Sequence, residues 1–270
     1  MTKKSVVTSL AMAALAAAIP AHAAISVGSA AFTYSQSFDS LATSGAANAW
    51  VNDSTLAGWS LFNKTPAAIT AYAAGDGSSN TGAFYSFGSS GTAERALGGT
   101  ASGGAYFGSP AAGTLAGWIA VALTNDTGSA LNSFTIGYNG EQWRNGGNTS
   151  AQTMVMEYGF GATFAGVGAG WTPAGAGFNF TSTVNTATAA AVNGNTAGLV
   201  GGLGGTVTTN WANGATLWVR WIENNDAGFD HGLAIDDVRL SVTAVPEPES
   251  YALMLAGLAG LALVARRRKS

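Results

Sequence analysis

The chain of 270 residues contains 11 Lys and Arg against 14 Asp and Glu, and only 9% of its residues are charged. It has no cysteine, which excludes disulfides, thiolate metal ligands and cysteine nucleophiles. The acidic balance leaves too few cations to neutralise a row of phosphates, so we expect no nucleic-acid partner. Gly, Ala, Ser, Thr and Asn take the place of the Glu and Lys that usually cover exposed helices, which favours short strands joined by loops.

The N-terminus has the pattern of a signal peptide. Lys3 and Lys4 precede an apolar run from Val6 to Ile19, and the small-residue sequence Ala21-His22-Ala23 follows it. The run is shorter than the ~20 residues that a membrane-spanning helix needs. We therefore predict a signal peptide over residues 1–23, cleavage after Ala23, and export of the rest of the chain.

Residues 24–245 form the body of the chain and are long enough for one domain with a sizeable core. Hydrophobic residues alternate with polar or small ones in several segments of this body, which is typical of strands with one buried face. These residues are Phe134, Ile136 and Tyr138; Met154, Met156, Tyr158 and Phe160; Leu217, Val219 and Trp221; and Val238, Leu240 and Val242. Since no long amphipathic helix separates them, they predict an all-β fold, an antiparallel two-sheet sandwich of the jelly-roll kind.

Three stretches of the body lack this alternation and are rich in Gly, Ala, Ser or Asn. We predict long loops over residues 87–117, 161–177 and 185–205. Within the third loop, Ala187 to Val192 is predicted to form one short helix.

Acidic residues are concentrated near the end of the body, where Glu223 and the four aspartates that follow it lie within 15 positions. Clustered carboxylates suit Ca²⁺, which takes six to eight oxygen ligands in flexible geometry. If the first and last strands pair, Asp39 would meet this segment. We therefore predict a structural calcium site formed by Asp39, Asp226, Asp230, Asp236 and Asp237. The alternative is that these side chains are turn formers that only cap loop amides.

Candidates for catalysis are few. His231 is the only histidine of the body, and no Gly-x-Ser-x-Gly elbow supports a serine nucleophile. Glu141 and Glu157 would serve glycoside hydrolysis only if their strands brought the two carboxyls ~5 to 9 Å apart. The alternative, which we favour, is a buried ion pair between Glu141 and either Arg144 or Arg220. We therefore predict no catalytic residue and no enzymatic activity.

Tryptophans are the remaining candidates for a binding surface. The chain has eight of them, and sugar-binding sites use such rings to stack on the apolar faces of pyranoses. Tryptophans on strands, such as Trp218 and Trp221, are expected in the core. Trp143 and Trp171 lie among Gly and Asn residues, so we expect them to be exposed and propose them as glycan-binding candidates.

The C-terminus has three consecutive parts. The sequence Pro246-Glu247-Pro248 comes first, an apolar stretch from Tyr251 to Ala265 follows, and the cations Arg266, Arg267, Arg268 and Lys269 come last. By the positive-inside rule these cations stay in the cytoplasm, which places the body outside. As a helix the apolar stretch would rise only ~22 Å against a hydrocarbon core of ~30 Å, so we expect a short and transient membrane anchor.

This tripartite tail, residues 246–270, resembles the PEP-CTERM sorting signal of bacteria that make exopolysaccharide. The resemblance implies that Pro246, Glu247 and Pro248, with Arg266, Arg267 and Arg268, are read by an exosortase. That enzyme is a membrane transpeptidase thought to cut near the motif. The resemblance also implies that the C-terminal helix holds the chain in the inner membrane until processing.

Two segments of the body resemble MAM-type and other lectin-like jelly-roll sandwiches. They are Gln36-Ser37-Phe38-Asp39 near its start and Ile235-Asp236-Asp237-Val238 near its end. In those folds the first and last strands lie side by side, so the resemblance implies the same pairing here.

Taken together, these patterns predict an exported, non-catalytic protein of the cell envelope or extracellular matrix. We expect it to be sorted by an exosortase and to associate with exopolysaccharide. Two alternatives stay open: a secreted carbohydrate-active hydrolase, and a purely structural surface protein without a ligand.

Overall fold

The computed structural model of the chain describes residues 24–242 and 254–258. The predicted signal peptide, Pro246-Glu247-Pro248 and the terminal arginines lie outside these residues. The body consists of strands and three short 3-10 turns, which are Ala105–Phe107, Ala165–Val167 and Ala176–Phe178. The strands are β1 (Ile25–Val27), β2 (Thr33–Gln36), β3 (Asn48–Ala49), β4 (Trp59–Asn63), β5 (Ala71–Gly75), β6 (Ala83–Phe87), β7 (Ala96–Thr100), β8 (Thr114–Asn125), β9 (Leu131–Asn145), β10 (Thr153–Met154), β11 (Met156–Phe160), β12 (Thr172–Pro173), β13 (Phe180–Thr181), β14 (Ala190–Ala191), β15 (Leu199–Trp211), β16 (Thr216–Asn225) and β17 (Gly232–Ser241).

The smaller sheet has six strands and is built around β8 and β16. Its order is β1-β8-β16-β11-β12, and β4 pairs with β8 as well. The pair β1 and β8 is parallel, while the other pairs are antiparallel. Because side chains alternate along a strand, Val219 and Trp221 of β16 face the core while Trp218 and Arg220 face outwards.

The larger sheet has nine strands in the order β14-β9-β17-β7-β6-β5-β3, with β15 beside β9 and β2 beside β17. Only β5 and β6 run parallel. The pairing of β2 with β17 places Gln36 opposite Val238, which confirms that the opening and closing segments lie side by side. The pair β10 and β13 forms a separate two-stranded ribbon.

The core lies between the two sheets and is rich in aromatic rings. Trp59 stacks on Trp221 with ring centroids 5.8 Å apart, and Tyr138 meets Trp221 edge-on at 5.5 Å. Tyr138 comes from the larger sheet and the two tryptophans from the smaller one, so these contacts join the layers. In a chain without disulfides, such packing supplies the main stabilisation of the sandwich.

The outer face of each sheet carries a second apolar cluster beneath a loop. On the smaller sheet, Trp118 and Trp218 pack against Phe164 of the loop that follows β11. On the larger sheet, Phe87 stacks on Trp143 beneath residues 193–198. Both outer faces are therefore partly closed, unlike the solvated faces of a simple sandwich.

The predicted all-β sandwich is confirmed, with corrections in the loops. The helix predicted over residues 187–192 is wrong, because Ala190 and Ala191 add a short strand to the edge of β9. The predicted loop over residues 87–117 also contains the strand β7, whose small residues fit between two neighbouring strands. At the C-terminus, residues 254–258 are helical, and in the part of the chain that the structure describes no helix is long and apolar enough to cross a membrane.

Candidate functional site

A cavity of about 400 Å³ opens where the ends of β7, β9 and β16 meet the turn over residues 226–231. These three strands end at the same edge of the sandwich, so loops from both sheets converge there. We call it the Phe229 cavity after the aromatic residue at its rim. Its lining residues are Asn80, Thr100, Ala101, Ser102, Gly103, Arg144, Gly146, Gly147, Ala187, Ala189, Asn225, Gly228, Phe229 and Asp230.

The wall of the Phe229 cavity contains two polar atoms with unused hydrogen-bonding capacity. Arg144 donates from Nη1 to the carbonyl oxygens of Gly77 and Ser78, at 3.0 and 2.9 Å, but its buried Nε has no partner within the chain. Thr100 likewise has a buried Oγ1 without a partner. Leaving buried polar groups unpaired costs free energy, and a ligand with hydroxyl groups would recover it after a movement of the lining side chains that uncovers these two atoms.

Carboxyl groups lie beside these atoms. Asp230 accepts a hydrogen bond at Oδ1 from the backbone nitrogen of Asp226, at 2.6 Å, and burial raises its pKa to about 7. The nearby Glu223 is buried, and loss of solvation raises its pKa well above the usual value. Near neutral pH the carboxyl of Asp230 is therefore partly protonated and able to donate as well as accept a hydrogen bond.

Phe229 is 69% exposed, which makes it the most exposed large hydrophobic side chain of the body. Its backbone is fixed, because its carbonyl oxygen accepts hydrogen bonds from Asn148 Nδ2 and Gln152 Nε2, at 3.1 and 2.9 Å. An aromatic ring held in water at the rim of a polar cavity is expensive to maintain and is typical of a binding surface.

His231 holds this loop in place. Its Nδ1 accepts a hydrogen bond from the backbone nitrogen of Gly146 at 2.9 Å, and its own backbone nitrogen donates to Gln152 Oε1 at 2.6 Å. Burial lowers the pKa of His231, so the ring is neutral at pH 7. These contacts give His231 a structural role in the loop.

The sequence-based expectation that Trp143 is exposed is wrong. Trp143 lies on β9, is only 1% exposed, and is covered by Gly194. Its Nε1 donates to Glu141 Oε2 at 2.8 Å. The second candidate, Trp171, is partly exposed and stacks on the guanidinium of Arg220, with the carbon Cζ 3.8 Å from the ring centroid.

The five predicted calcium ligands do not come together as one set. Asp39 accepts a hydrogen bond from the backbone nitrogen of Arg95, and Asp237 accepts one from Asn139, each at 3.0 Å. Asp226 and Asp230 hydrogen-bond each other in the turn of the Phe229 cavity. Sequence proximity was misleading here, because consecutive residues of β17 point to opposite faces of the sheet.

Asp236 belongs instead to a different group, which we call the carboxylate triad. It consists of Glu94, Glu141 and Asp236, each of which offers an oxygen within 4.8 Å of the others. Within residues 24–242 and 254–258 no other set of three such residues meets this criterion. Glu94 was missed in the sequence because it stands alone in a Gly-rich stretch.

The predicted ion pair of Glu141 is also wrong, although its burial is confirmed at 1% exposure. The guanidinium of Arg144 donates instead to the carbonyl oxygens of Gly77 and Ser78, and it forms no ion pair with Glu141. Arg220 belongs to the other sheet and pairs with Glu157 at 2.5 Å. Glu141 and Glu157 therefore lie on different sheets.

Of the residues around the Phe229 cavity, the sequence singled out Asp226 and Asp230 for a different role and overlooked Phe229. A lone aromatic residue inside the polar turn Asn224 to Asp230 was the available signal. Arg144 and Thr100 gave no such signal, because their roles depend on which loops surround them.

Comparison with known proteins identifies the tail. Residues 244–269 match the family described as "PEP-CTERM protein-sorting motif". The chain carries a PEP-CTERM motif. This confirms the resemblance seen in Pro246-Glu247-Pro248 and the terminal arginines. The PEP-CTERM motif marks the chain as an exported protein that an exosortase sorts by way of a membrane-anchored intermediate.

The body in front of the PEP-CTERM motif has weaker similarities. No curated protein matches the chain. Among solved structures, it is similar to the CBM22-1 xylan-binding domain from Paenibacillus barcinonensis Xyn10C, with 9% identity and a TM-score of 0.35 over 80% of this chain and 99% of that one. An identity of 9% and a TM-score of 0.35 do not indicate the function of the body.

Proposed function

We propose that this exported chain is a non-catalytic protein of the cell envelope or extracellular matrix, and that its body binds exopolysaccharide through the Phe229 cavity. The observation that carries the proposal is the exposed ring of Phe229 beside a cavity whose wall has unpaired polar atoms. The export and sorting signals deliver the body to the place where such polymers accumulate.

The chemistry of the cavity suits a sugar. A pyranose has an apolar face that can stack on an aromatic ring and a rim of hydroxyls that both donate and accept hydrogen bonds. Phe229 provides the ring and Asp230 a carboxyl. Arg144 Nε would add a donor, and Thr100 Oγ1 a donor and acceptor, once a side-chain movement uncovers these buried atoms. The volume of about 400 Å³ falls within the usual range of small-molecule sites and would admit a chain end or a side branch.

The carboxyls of the cavity favour binding over hydrolysis. Glycoside hydrolysis needs two carboxyls that face each other across the scissile bond. Asp230 uses Oδ1 to hold the backbone of Asp226, and Glu223 is buried at 4% exposure. We therefore expect no release of reducing sugars when the protein is incubated with a polysaccharide that it binds.

Binding of the full-length chain to exopolysaccharide purified from the producing bacterium tests this function. Phe229→Ala should weaken binding by roughly tenfold or more, because an anchoring ring at a site contributes at least ~1.4 kcal/mol. The matched control is Trp171→Ala, which removes a partly exposed ring from the other sheet and should leave binding unchanged. Equal loss in both variants, or no binding by the wild type, would overturn the assignment of the site.

We also propose that the chain is processed at both ends. Signal cleavage would make Ala24 the mature N-terminus, and the exosortase would cut near Pro246-Glu247-Pro248. The intact mass of the extracellular protein measures both events. A mass that still includes Tyr251 to Ala265 would contradict processing of the tail.

A further inference from the structure

The carboxylate triad lies on the outer face of the larger sheet, away from the Phe229 cavity. Glu141 is on β9 and Asp236 on the neighbouring β17, where Ala234 pairs with Glu141 and Asp236 with Asn139. The two acids are therefore diagonal neighbours on one face. Glu94 enters from the turn before β7 and brings its carboxyl within 4.8 Å of theirs.

Within residues 24–242 and 254–258 no basic side chain forms an ion pair with this group, although Arg95 and its neighbour Glu94 attract each other. The guanidinium of Arg95 donates to Ser86 and to the carbonyl oxygen of Gly75, on the other side of its strand. Arg144 points to the Phe229 cavity. Among the residues that the structure describes, the one ion pair is that of Arg220 with Glu157, on the opposite sheet.

Two members of the triad each have a buried oxygen without a hydrogen-bond partner among the described residues. Asp236 is 5% exposed, and its Oδ1 has no hydrogen-bond partner. Glu94 Oε1 is likewise buried and has no hydrogen-bond partner. A buried carboxylate without a donor or a cation is among the most costly groups in a protein.

The other oxygens of the triad are held by hydrogen bonds. Trp143 Nε1 donates to Glu141 Oε2 at 2.8 Å, and Asn195 Nδ2 donates to Glu94 Oε2 at 2.5 Å. Asn195 belongs to the loop that covers Trp143. The triad therefore joins two strands of the sheet to this loop. Burial raises the pKa of Glu141 to about 7 and that of Asp236 to about 9, as crowded carboxyls without a counter-charge require.

We propose that Glu94, Glu141 and Asp236 bind a calcium ion. An ion equidistant from three oxygens that lie up to 4.8 Å apart is at most about 2.8 Å from each, so a small inward movement of the side chains brings it into the calcium range of about 2.3 to 2.6 Å. Magnesium needs about 2.0 to 2.1 Å in a rigid octahedron and fits this spacing less well. The donor set contains only oxygen, which selects a hard cation over zinc or copper. Of the ligands predicted from sequence, this site keeps only Asp236.

The bound ion would have a structural role that is separate from polysaccharide binding. It would replace the mutual repulsion of three carboxyls by attraction to one centre. Through Glu94 and its partner Asn195 it would also fasten residues 193–198 over Trp143.

Calcium binding to the full-length chain, first stripped of metal with EDTA, tests the proposal. We expect one bound calcium by equilibrium dialysis. At a calcium concentration a hundredfold above Kd, the melting temperature should rise by about 5 to 10 °C. Tb³⁺, which replaces calcium at oxygen sites, should luminesce on tryptophan excitation. Trp143→Phe should remove most of this emission and, because it also removes the hydrogen bond to Glu141 Oε2, should weaken calcium binding without abolishing it.

The decisive variant is Asp236→Asn, which keeps the size of the side chain and replaces a buried acid by a neutral amide, so the fold is retained. It should weaken calcium binding roughly tenfold or more, since even the outer-shell partners of a metal are worth that much. The control Asp237→Asn alters the exposed neighbour and should bind calcium like the wild type. Absence of calcium in the stripped and reloaded protein, or undiminished binding by Asp236→Asn, would overturn the site.

Discussion

The two outer faces of the sandwich hold buried charge in opposite ways. On the smaller sheet, Arg220 pairs with Glu157 through Nε and Nη2, and rings surround its guanidinium, with Trp171 3.8 Å and Trp118 5.0 Å from Cζ. We call this group the Arg220 cage. On the larger sheet, the carboxylate triad has three acids and no ion pair with any cation of the described residues. The charge of Arg220 is balanced by a carboxylate of the polypeptide, whereas the three carboxyls of the triad have no such partner.

This difference separates a structural feature from a candidate site. A buried charge that finds its partner in the chain needs nothing further, so the Arg220 cage stabilises the sheet and its covering loop. Buried carboxyls without a partner must take up protons or a cation.

The largest effect concerns the pH dependence of stability in EDTA. Because burial raises the pKa of Asp236 to about 9, the folded chain keeps a proton that the unfolded chain releases near pH 4. Stability is therefore greatest at low pH and falls as pH rises towards 9. From Asp236 alone we expect a loss of about 1.4 kcal/mol per pH unit, or about 4 kcal/mol between pH 5 and 8.

Urea denaturation of the full-length chain across this pH range measures that slope. Asp236→Asn should flatten it, and saturating calcium should flatten it in the wild type, because the ion replaces the proton. Asp237→Asn is the control and should keep the wild-type slope. An identical slope in wild type and Asp236→Asn would show that the triad does not carry the effect.

The second effect tests the Arg220 cage. Glu157→Gln leaves Arg220 charged among aromatic rings, with its side chain only 12% exposed, and should lower the free energy of unfolding by about 3 kcal/mol. Replacing the pair together, as Glu157→Gln with Arg220→Met, should recover most of this loss, since an apolar pair needs no counter-charge. A double variant no more stable than the single one would contradict a self-contained pair.

The third effect concerns the loop over the triad. A Cβ atom on Gly194 would lie 2.3 Å from Trp143 Nε1, so Gly194→Ala must displace the loop or the ring. We expect a loss of about 2 kcal/mol in unfolding free energy and greater quenching of tryptophan fluorescence by iodide. Gly177→Ala is the control, because no atom lies within 4 Å of its Cβ position, and should change stability by less than about 0.5 kcal/mol.

The smallest effect concerns the cover of the cage. Trp171→Ala removes the ring that stacks on Arg220 and should cost about 1 kcal/mol of unfolding free energy. Trp171→Phe should retain part of the interaction, because its ring is a weaker cation–π partner. If both variants unfold like the wild type, the stacked ring contributes nothing to the cage.

The sequence predicted the strands that bear hydrophobic alternation, and it did so because alternation is a local property of a strand with one buried face. Val219 and Trp221 on β16, and Val238 and Leu240 on β17, are all buried as expected. The short strand at Ala190 and Ala191 carried no such pattern, since its pairing with Arg144 and Asn145 is decided by the partner strand.

The sites were harder to predict than the strands. The acidic segment was visible, yet its members separate, because neighbouring residues of a strand leave on opposite faces. Trp143 looked exposed from its Gly- and Asn-rich surroundings, but Gly194, a glycine distant in the sequence, lets a loop close over it.

The sequence by itself was enough to predict the signals at the two ends of the chain and its class of fold. A sorting motif is read as a linear sequence, and the choice between strand and helix follows from the period of side chains along one segment. Tertiary structure alone decided which charges meet. Glu94, Glu141 and Asp236 are far apart in the chain, and they share one face only because β17 lies between β7 and β9. The physical reason is that Coulomb and coordination forces depend on distance in space, which strand order sets.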